Sequence, residues 1–243
     1  MKKILFGLSL LIASDVYAQT CIPKPDCADM GYTKTSCSGA YLKCPFDTSK
    51  MICLKELIIK STQDCAVGMY YYSDGTCYTE YYTSKTLIGI VVKENALVMS
   101  PPKVMTWASN ISTDVSGVAN ITSIDIAKTD MNGKANTLEI ASAYPSDTAS
   151  NNAAVYCNSY TTEGTNTGDW YLPALGELYT YLHGNYSVLL KKANAVSWSN
   201  FDDTYWSSSE ESDSYAWWGT AKYEGVHFSY KDNSYSVSCF LAL

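Results

Sequence analysis

Cysteine is the residue whose number and spacing could do chemistry in this chain of 243 residues. Of nine cysteines, seven lie between Cys21 and Cys77, and two stand apart at Cys157 and Cys239. A zinc site would need paired ligands at short spacing, usually with histidine. The chain has no C-x-x-C pair, and its two histidines are remote from the cysteine cluster. We therefore predict disulfides, with one thiol left unpaired or joined to a partner chain.

The two histidines are the remaining candidates for acid–base chemistry. His183 lies near the end of a predicted helix, where the helix dipole alone favours a histidine. His227 alternates with apolar residues in a predicted strand, and no motif places a carboxylate or a nucleophile beside it. We therefore predict that the chain is not an enzyme.

Residues 1–18 have the three parts of a secretory signal peptide. Lys2 and Lys3 precede an apolar run from Ile4 to Ala13, and Val16-Tyr17-Ala18 supplies the small-residue cleavage site. The apolar run is too short to span a bilayer of roughly 30 Å. We therefore expect a secreted, periplasmic or cell-surface protein, in a compartment where disulfides persist.

The net charge of −7 limits the possible partners. Nucleic acids and anionic membranes would on average be repelled by such a chain. We expect a cell-surface protein or glycan as partner, no nucleic acid and no membrane insertion. The oligomeric state stays open.

Residues 19–84 form a predicted cysteine-rich N-terminal segment that has too few apolar side chains for a core of its own. Disulfides would have to stabilise it, each by about 2–4 kcal/mol. Local spacing favours pairing Cys44 with Cys53 and Cys65 with Cys77, although spacing alone does not fix connectivity.

A larger domain is predicted for residues 85–243. Its start is marked by two apolar runs with strand character, and residues 109–148 suggest short strands and long loops. Helices and then a C-terminal antiparallel meander follow, which is typical of the α+β class. The predicted helices are residues 149–160, 172–184 (closed by Gly184) and 188–195; the predicted strands are 87–92, 96–100, 204–208, 215–223, 226–230 and 235–243; a hairpin with an Asp74-Gly75 turn is predicted for 69–78.

Four motifs follow one another in the C-terminal part of the chain. They are Gly168-Asp169-Trp170-Tyr171-Leu172-Pro173, Tyr205-Trp206-Ser207-Ser208-Ser209-Glu210, Ala216-Trp217 and the terminal Val237-Ser238-Cys239-Phe240-Leu241-Ala242-Leu243. With these motifs, residues 85–243 resemble the Lcl C-terminal family of bacterial surface domains. Members of that family commonly end in Val-Arg-Pro-Val-Leu-Ala-Phe, and the arginine is missing here, so no role of that residue carries over.

The resemblance implies a C-type-lectin-like fold of two helices and small antiparallel sheets, related to the formylglycine-generating enzymes. In lectin-like domains a disulfide ties the first helix to the last strand, which implies a bridge between Cys157 and Cys239. The enzymes need a reactive cysteine pair, whereas these two cysteines are accounted for by the bridge. Trp170 and Trp206 lie in the family motifs and Trp198 lies beside a predicted helix end, so we expect all three to be core residues.

Carboxylates surround the predicted strand that contains Trp206, and oxygen-rich loops can bind calcium. They are Asp202, Asp203, Glu210, Glu211 and Asp213. The Glu-Pro-Asn and Trp-Asn-Asp signatures of calcium-dependent, sugar-binding lectins are absent, and Glu210 belongs to the family motif. We expect no cofactor and no metal, with calcium as the lesser alternative.

Some lectin-like domains of this kind are variable proteins of diversity-generating retroelements, and the composition of residues 200–233 resembles theirs. Tyr, Ser, Asp and Asn are abundant there, and tyrosine with serine makes an adaptable binding surface. The adjacent Trp217 and Trp218 must point to opposite faces of a strand. The resemblance implies that the Ala216-Trp217 motif is structural, which leaves Trp218 as the better contact candidate. The predicted ligand-binding residues are Asp213, Tyr215, Trp218, Tyr223, His227, Tyr230 and Asn233.

Three functions remain open from the sequence. The first is an exported binding module that recognises a protein or a glycan through its C-terminal face. The second is a structural subunit of a pilus or surface layer, and the third is an inactive relative of formylglycine-generating-type enzymes.

Overall fold

The computed structural model describes residues 41–53 and 64–243. The chain divides into two compact units, Met1–Lys60 and Ser61–Leu243. In the first unit, strand β1 (Tyr41–Lys43) pairs antiparallel with β2 (Met51–Cys53). The predicted signal peptide lies outside the described residues.

The second unit begins with five strands, continues with the helices and one short strand, and ends with five more strands. Its strands are β3 (Tyr70–Tyr72), β4 (Cys77–Tyr78), β5 (Leu87–Lys93), β6 (Leu97–Met99), β7 (Lys103–Thr106), β8 (Trp170–Tyr171), β9 (Thr204–Glu210), β10 (Tyr215–Thr220), β11 (Val226–Tyr230), β12 (Ser234–Val237) and β13 (Phe240–Ala242). Its α-helices are α1 (Ile124–Ala127), α2 (Gly133–Ala143), α3 (Ala153–Ser159), α4 (Leu175–Glu177) and α5 (Tyr186–Ala195). The unit is α+β, as the sequence predicts.

Two sheets organise this unit. One has the strand order β4-β3-β5-β6-β13-β8, and all of its pairs are antiparallel. The other has the order β11-β10-β9-β12-β7, with a parallel contact between β9 and β12 and antiparallel pairs elsewhere. The hairpin β10–β11 therefore lies at one edge of the five-stranded sheet.

The six-stranded sheet has a hydrophobic core on each side. Val91 and Val98 belong to a main core that also contains Trp206 of β9 and Cys157 of α3. Residues such as Ile90 belong to a second core, with Leu178, Leu182 and Leu189 of the helical stretch that ends in α5. A third, small cluster holds Ala127, Leu175, Trp217 and Val226 beneath the β10–β11 hairpin.

Two disulfides lie inside the second unit. Cys157 of α3 is bonded to Cys239, which lies between β12 and β13, so the bridge implied by the resemblance is present. Cys65 is bonded to Cys77. Because loop closure costs more for longer loops, their separations of 82 and 12 residues correspond to stabilisation of about 4.5 and about 3 kcal/mol.

The third predicted disulfide falls at the edge of the described chain. Cys44 is disulfide-bonded. The side chain of its predicted partner, Cys53, lies outside the described residues, so this pairing stays a prediction.

The boundary predicted after residue 84 falls inside the larger unit. Strand β3 pairs with β5 along the six-stranded sheet, through Tyr70 with Ile90 and Tyr71 with Gly89. Residues 64–84 therefore belong to the same compact unit as the rest of the chain. The hairpin predicted for residues 69–78 is present as β3 and β4, but its sequence does not indicate that β3 also pairs with β5.

Several predicted elements need correction. Residues 109–148 contain α1 and α2, which were not predicted. The predicted helix 172–184 is instead a short α4, a π-helical turn over Leu178–Leu182 and a 3₁₀ turn over His183–Asn185, which leads directly into α5. The predicted last strand is two strands, β12 and β13, in different sheets.

Candidate functional site

Strands β10 and β11 carry four of the seven predicted ligand-binding residues, Tyr215, Trp218, His227 and Tyr230. Their register pairs Tyr215 with Tyr230, Trp217 with Phe228 and Trp218 with His227. Because successive residues of a strand point to opposite faces, the hairpin presents two different surfaces. Tyr215 and Tyr230 lie on one, and Trp218 and His227 lie on the other.

The first surface is a group of aromatic rings at the edge of the sheet, which we call the aromatic edge: Tyr215, Phe228 and Tyr230. The ring centroid of Tyr215 lies 4.4 Å from that of Tyr230 and 5.4 Å from that of Phe228. Phe228 is 45% exposed and Tyr230 is 47% exposed. Rings held in mutual contact keep a fixed shape while offering apolar area to a partner.

The aromatic edge rests on the third hydrophobic cluster. Phe228 packs against Trp217 with ring centroids 5.4 Å apart, and Trp217 is almost fully buried. The indole nitrogen of Trp217 donates a hydrogen bond to the Ile121 carbonyl at 2.7 Å. The buried indole therefore anchors the exposed rings to the body of the unit.

The second surface is more polar. Trp218 is half-buried against the main core, with its ring centroid 5.4 Å from His227 and 5.7 Å from Tyr235. Its buried indole nitrogen has no hydrogen-bond partner among the described residues. Asn233 is exposed and donates from its amide to the Ser229 hydroxyl at 2.7 Å.

The remaining two predicted residues lie in turns. Asp213 is exposed between β9 and β10, where its carboxylate accepts a hydrogen bond from Ser214. Tyr223 is 64% exposed in the turn between β10 and β11, with the Lys222 ammonium 5.2 Å from its ring centroid. The seven predicted residues thus do not form one site.

A buried ion pair fixes the base of the hairpin. Lys231 follows Tyr230 directly, and the side chains of Lys231 and Glu210 are both fully buried and in contact. The Lys231 ammonium also donates to the carbonyls of Thr113 at 2.9 Å and Asp213 at 2.7 Å. All three donors of the ammonium are satisfied, so the ends of β9 and β11 are joined to the loop at residue 113.

Burial shifts the pKa values of this pair toward the neutral forms. Desolvation raises the pKa of the Glu210 carboxyl, and the Lys231 ammonium opposes that effect. Desolvation lowers the pKa of Lys231, and Glu210 opposes it. The pair is a buried structural element of the hairpin, and Glu210 also accepts a hydrogen bond from the Val115 N–H at 3.3 Å.

Phe228 and Lys231 are not among the binding residues predicted from the sequence. The alternation of Phe228 with Val226 and Tyr230 places all three on one face of β11. Lys231 lies in a polar run that is typical of an exposed turn.

Trp198, expected in the core, is only half-buried, whereas Trp170 and Trp206 are fully buried.

The described residues, 41–53 and 64–243, contain neither a cluster of metal ligands nor a membrane-spanning helix. No group of three or more His, Cys, Asp or Glu side chains there could hold a metal ion. No helix in this part of the chain has the length and apolar character needed to cross a bilayer.

Comparison with known proteins gives one likeness of fold. No family model matches the chain, and no curated protein matches it in sequence. The structure is similar to the crystal structure of a fimbrial protein from Bacteroides ovatus ATCC 8483, with a TM-score of 0.53 and 17% sequence identity. The match covers 73% of this chain and 49% of that protein, so the chain spans about half the length of its structural neighbour.

Proposed function

We propose that this chain is an exported surface protein that binds a protein partner through the aromatic edge. The observation that carries the proposal is the contact of Tyr215, Phe228 and Tyr230 on an edge strand, with the last two nearly half exposed. Tyrosine and phenylalanine are enriched in the cores of protein interfaces, where they provide much of the binding energy.

The position of β11 favours a protein over a glycan at this surface. β11 is the terminal strand of the described five-stranded sheet, and the free side of such a strand can pair with an extended segment of another chain. A net charge of −7 favours a neutral or basic partner.

The test compares two faces of one strand. The double variant Phe228→Ala/Tyr230→Ala removes exposed rings, and we expect it to lose at least about tenfold in affinity for a cell-surface extract. The matched control, His227→Ala/Ser229→Ala, changes the opposite face of β11 and should retain binding. Biolayer interferometry with the immobilised full chain measures both.

The extract also decides the class of partner. Digestion of the extract with a protease should abolish the difference in binding between the wild type and Phe228→Ala/Tyr230→Ala, whereas periodate oxidation of its glycans should leave that difference unchanged. Equal binding by the two double variants would reject the aromatic edge as the site.

A second candidate function is a subunit of a fimbria-type appendage. It is favoured by the likeness of fold to a protein described as a fimbrial protein. A subunit should sediment with surface filaments sheared from the native cells and should label along their length with antibody. Recovery only as free chain in the supernatant would reject this role.

The proposal also includes a more specific fold and an evolutionary origin for this chain. We propose a C-type-lectin-like arrangement, which the disulfide between α3 and the tail supports, and descent from retroelement variable proteins. A reverse transcriptase gene beside an adenine-rich copy of the last codons would support that origin. Genomic neighbourhoods without either would reject it.

A further inference from the structure

A separate pocket opens between the end of α5 and the start of β9, in the same unit as the aromatic edge. It has a volume of about 310 Å³ and is lined by Leu190, Asn194, Trp198, Asn200, Asp202 and Asp203, with Phe201 beside them. This volume lies at the lower end of the roughly 300–1,000 Å³ usual for small-molecule sites. None of the residues of the aromatic edge contributes to it.

The apolar part of the pocket is held in place by the second core. Trp198 is half-buried and packs against that core, and Phe201 is 2% exposed within it. The backbone N–H of Trp198 donates to the Ala193 carbonyl at 3.0 Å. The pocket therefore contains the ring of Trp198, held in position, and an aromatic ring provides a flat apolar surface.

The two carboxylates are oriented by neighbouring groups. One oxygen of Asp202 accepts a hydrogen bond from the Tyr186 hydroxyl at 2.6 Å. Asp203 accepts from the Thr204 backbone N–H at 2.8 Å. A carboxylate oxygen has more than one acceptor direction, so both groups can accept further hydrogen bonds from a ligand.

The two amides are uncommitted. Within the described chain, the side chains of Asn194 and Asn200 make no hydrogen bond. Each amide offers two donor hydrogens and an acceptor oxygen. Asn200 adopts a left-handed backbone with φ of 60°, a conformation that asparagine tolerates better than most residues. The pocket thus combines free amides, oriented carboxylates and one aromatic ring.

We infer that this pocket binds the terminal pyranose ring of a neutral glycan. The C–H face of a pyranose packs on an aromatic ring, and its neighbouring hydroxyls exchange hydrogen bonds with amides and carboxylates. The Lys222 ammonium lies 3.4 Å from one oxygen of Asp202 and offsets one of the two carboxylates. The remaining negative charge disfavours the carboxylate of a uronic or sialic acid. The inference goes beyond the proposed function, since it assigns a second ligand to a site that the protein partner does not need.

The test titrates the full chain with methyl glycosides of glucose, galactose, mannose and N-acetylglucosamine. Isothermal titration calorimetry and saturation-transfer NMR measure binding. At least one neutral glycoside should bind, and sialic acid should bind at least about tenfold more weakly. If none of the four binds, or if sialic acid binds best, the inference is overturned.

Variants locate the binding. Trp198→Ala should weaken it by about tenfold or more, while Trp198→Phe retains a ring and most of the affinity, which separates a lost contact from a lost fold. Asn200→Gly keeps the left-handed backbone and removes only the amide, and should weaken binding several-fold. Unchanged affinity in both Trp198→Ala and Asn200→Gly would overturn the inference.

The control on the other site is Phe228→Ala/Tyr230→Ala. It should lose the protein partner and keep the glycoside, so failure of the aromatic edge and failure of the pocket give different results. Loss of glycoside binding in this variant, with the fold intact, would place the sugar at the aromatic edge and overturn the pocket assignment.

Discussion

Lys231 is a buried lysine in a turn, and its charge is balanced by a single carboxylate, that of Glu210. Lys231 directly follows Tyr230, a residue of the aromatic edge, in the chain. Its ammonium also lies 4.7 Å from the ring centroid of Trp107. Desolvating two charges is costly, so the value of such a pair lies in the geometry that it enforces.

This arrangement gives a prediction at the scale of one residue. Lys231→Met leaves the Glu210 carboxylate buried without its cation, and we expect a loss of about 3–5 kcal/mol in the free energy of unfolding. The double variant Lys231→Met/Glu210→Gln removes both charges and should lose less. Urea denaturation of the wild type and of the three variants, including Glu210→Gln alone, measures the coupling.

The pH dependence supplies an independent check. Desolvation already raises the pKa of Glu210, and loss of the lysine raises it further. Protonation of the carboxyl removes the buried negative charge, so the deficit of Lys231→Met should shrink as the pH falls through that raised pKa. A deficit that is constant with pH would mean that the carboxylate is not the source of the lost stability.

The sequence does not predict this pair. Glu210 is part of the run Tyr205-Trp206-Ser207-Ser208-Ser209-Glu210, which does not indicate a lysine partner. Lys231 lies in Tyr230-Lys231-Asp232-Asn233, where composition favours an exposed turn. Its burial depends on the carbonyls of Thr113 and Asp213, which are distant in sequence and leave no local pattern.

At the scale of elements, the helical stretch from α4 to α5 departs most from its prediction. Gly184 was expected to end a helix, but it has no positive φ and lies in the 3₁₀ turn before α5. Gly176 has the stricter role. A Cβ atom there would lie 2.4 Å from the carbonyl oxygen of Asp130, with which the Gly176 N–H forms a hydrogen bond.

The two glycines therefore make a matched pair of variants. Gly176→Ala forces α4 away from the segment that precedes α2, and we expect it to destabilise the chain by about 1–3 kcal/mol. Gly184→Ala meets its nearest atom only at 3.8 Å and should be neutral or stabilising by up to about 1 kcal/mol. Urea denaturation compares them; equal effects would contradict the close approach of α4.

Helix α2 shows why another element was missed. Its buried positions are Gly133, Asn136, Thr137 and Ile140, which have helical spacing but include only one large apolar residue. Polar groups make the contacts with other elements instead: the Thr137 hydroxyl accepts a hydrogen bond from the Leu172 N–H at 2.9 Å. A search for hydrophobic periodicity cannot detect a helix that is buried through such residues.

The strand prediction succeeded where alternation was strong. β9, β10 and β11 begin at their predicted residues, Thr204, Tyr215 and Val226. The tail was less predictable, because residues 235–243 read as one strand while the chain changes sheets between β12 and β13. Cys239 lies at that change and is bonded to α3; the resemblance implies this bridge, but not that the strand is interrupted there.

At the scale of the whole molecule, the larger compact unit begins earlier than the domain that the sequence predicts. The unit that begins at Ser61 contains both sheets, the three hydrophobic clusters and the disulfides Cys65–Cys77 and Cys157–Cys239. Tyr70 and Tyr72 of β3 are buried in the second core. The Tyr70 hydroxyl also donates to the Lys192 carbonyl of α5 at 3.1 Å.

Two fragments test this boundary. We expect residues 61–243 to fold alone, with a single cooperative thermal transition, because every described pairing of the two sheets lies within them. Residues 85–243, the domain predicted from the sequence, lose β3 and β4, and so expose the edge of β5 and open the second core. This shorter fragment should melt at a lower temperature or aggregate, since an uncovered apolar edge strand is a template for association. Calorimetry and size-exclusion chromatography of both fragments decide the matter: equal melting temperatures would mean that residues 61–84 add nothing to the fold.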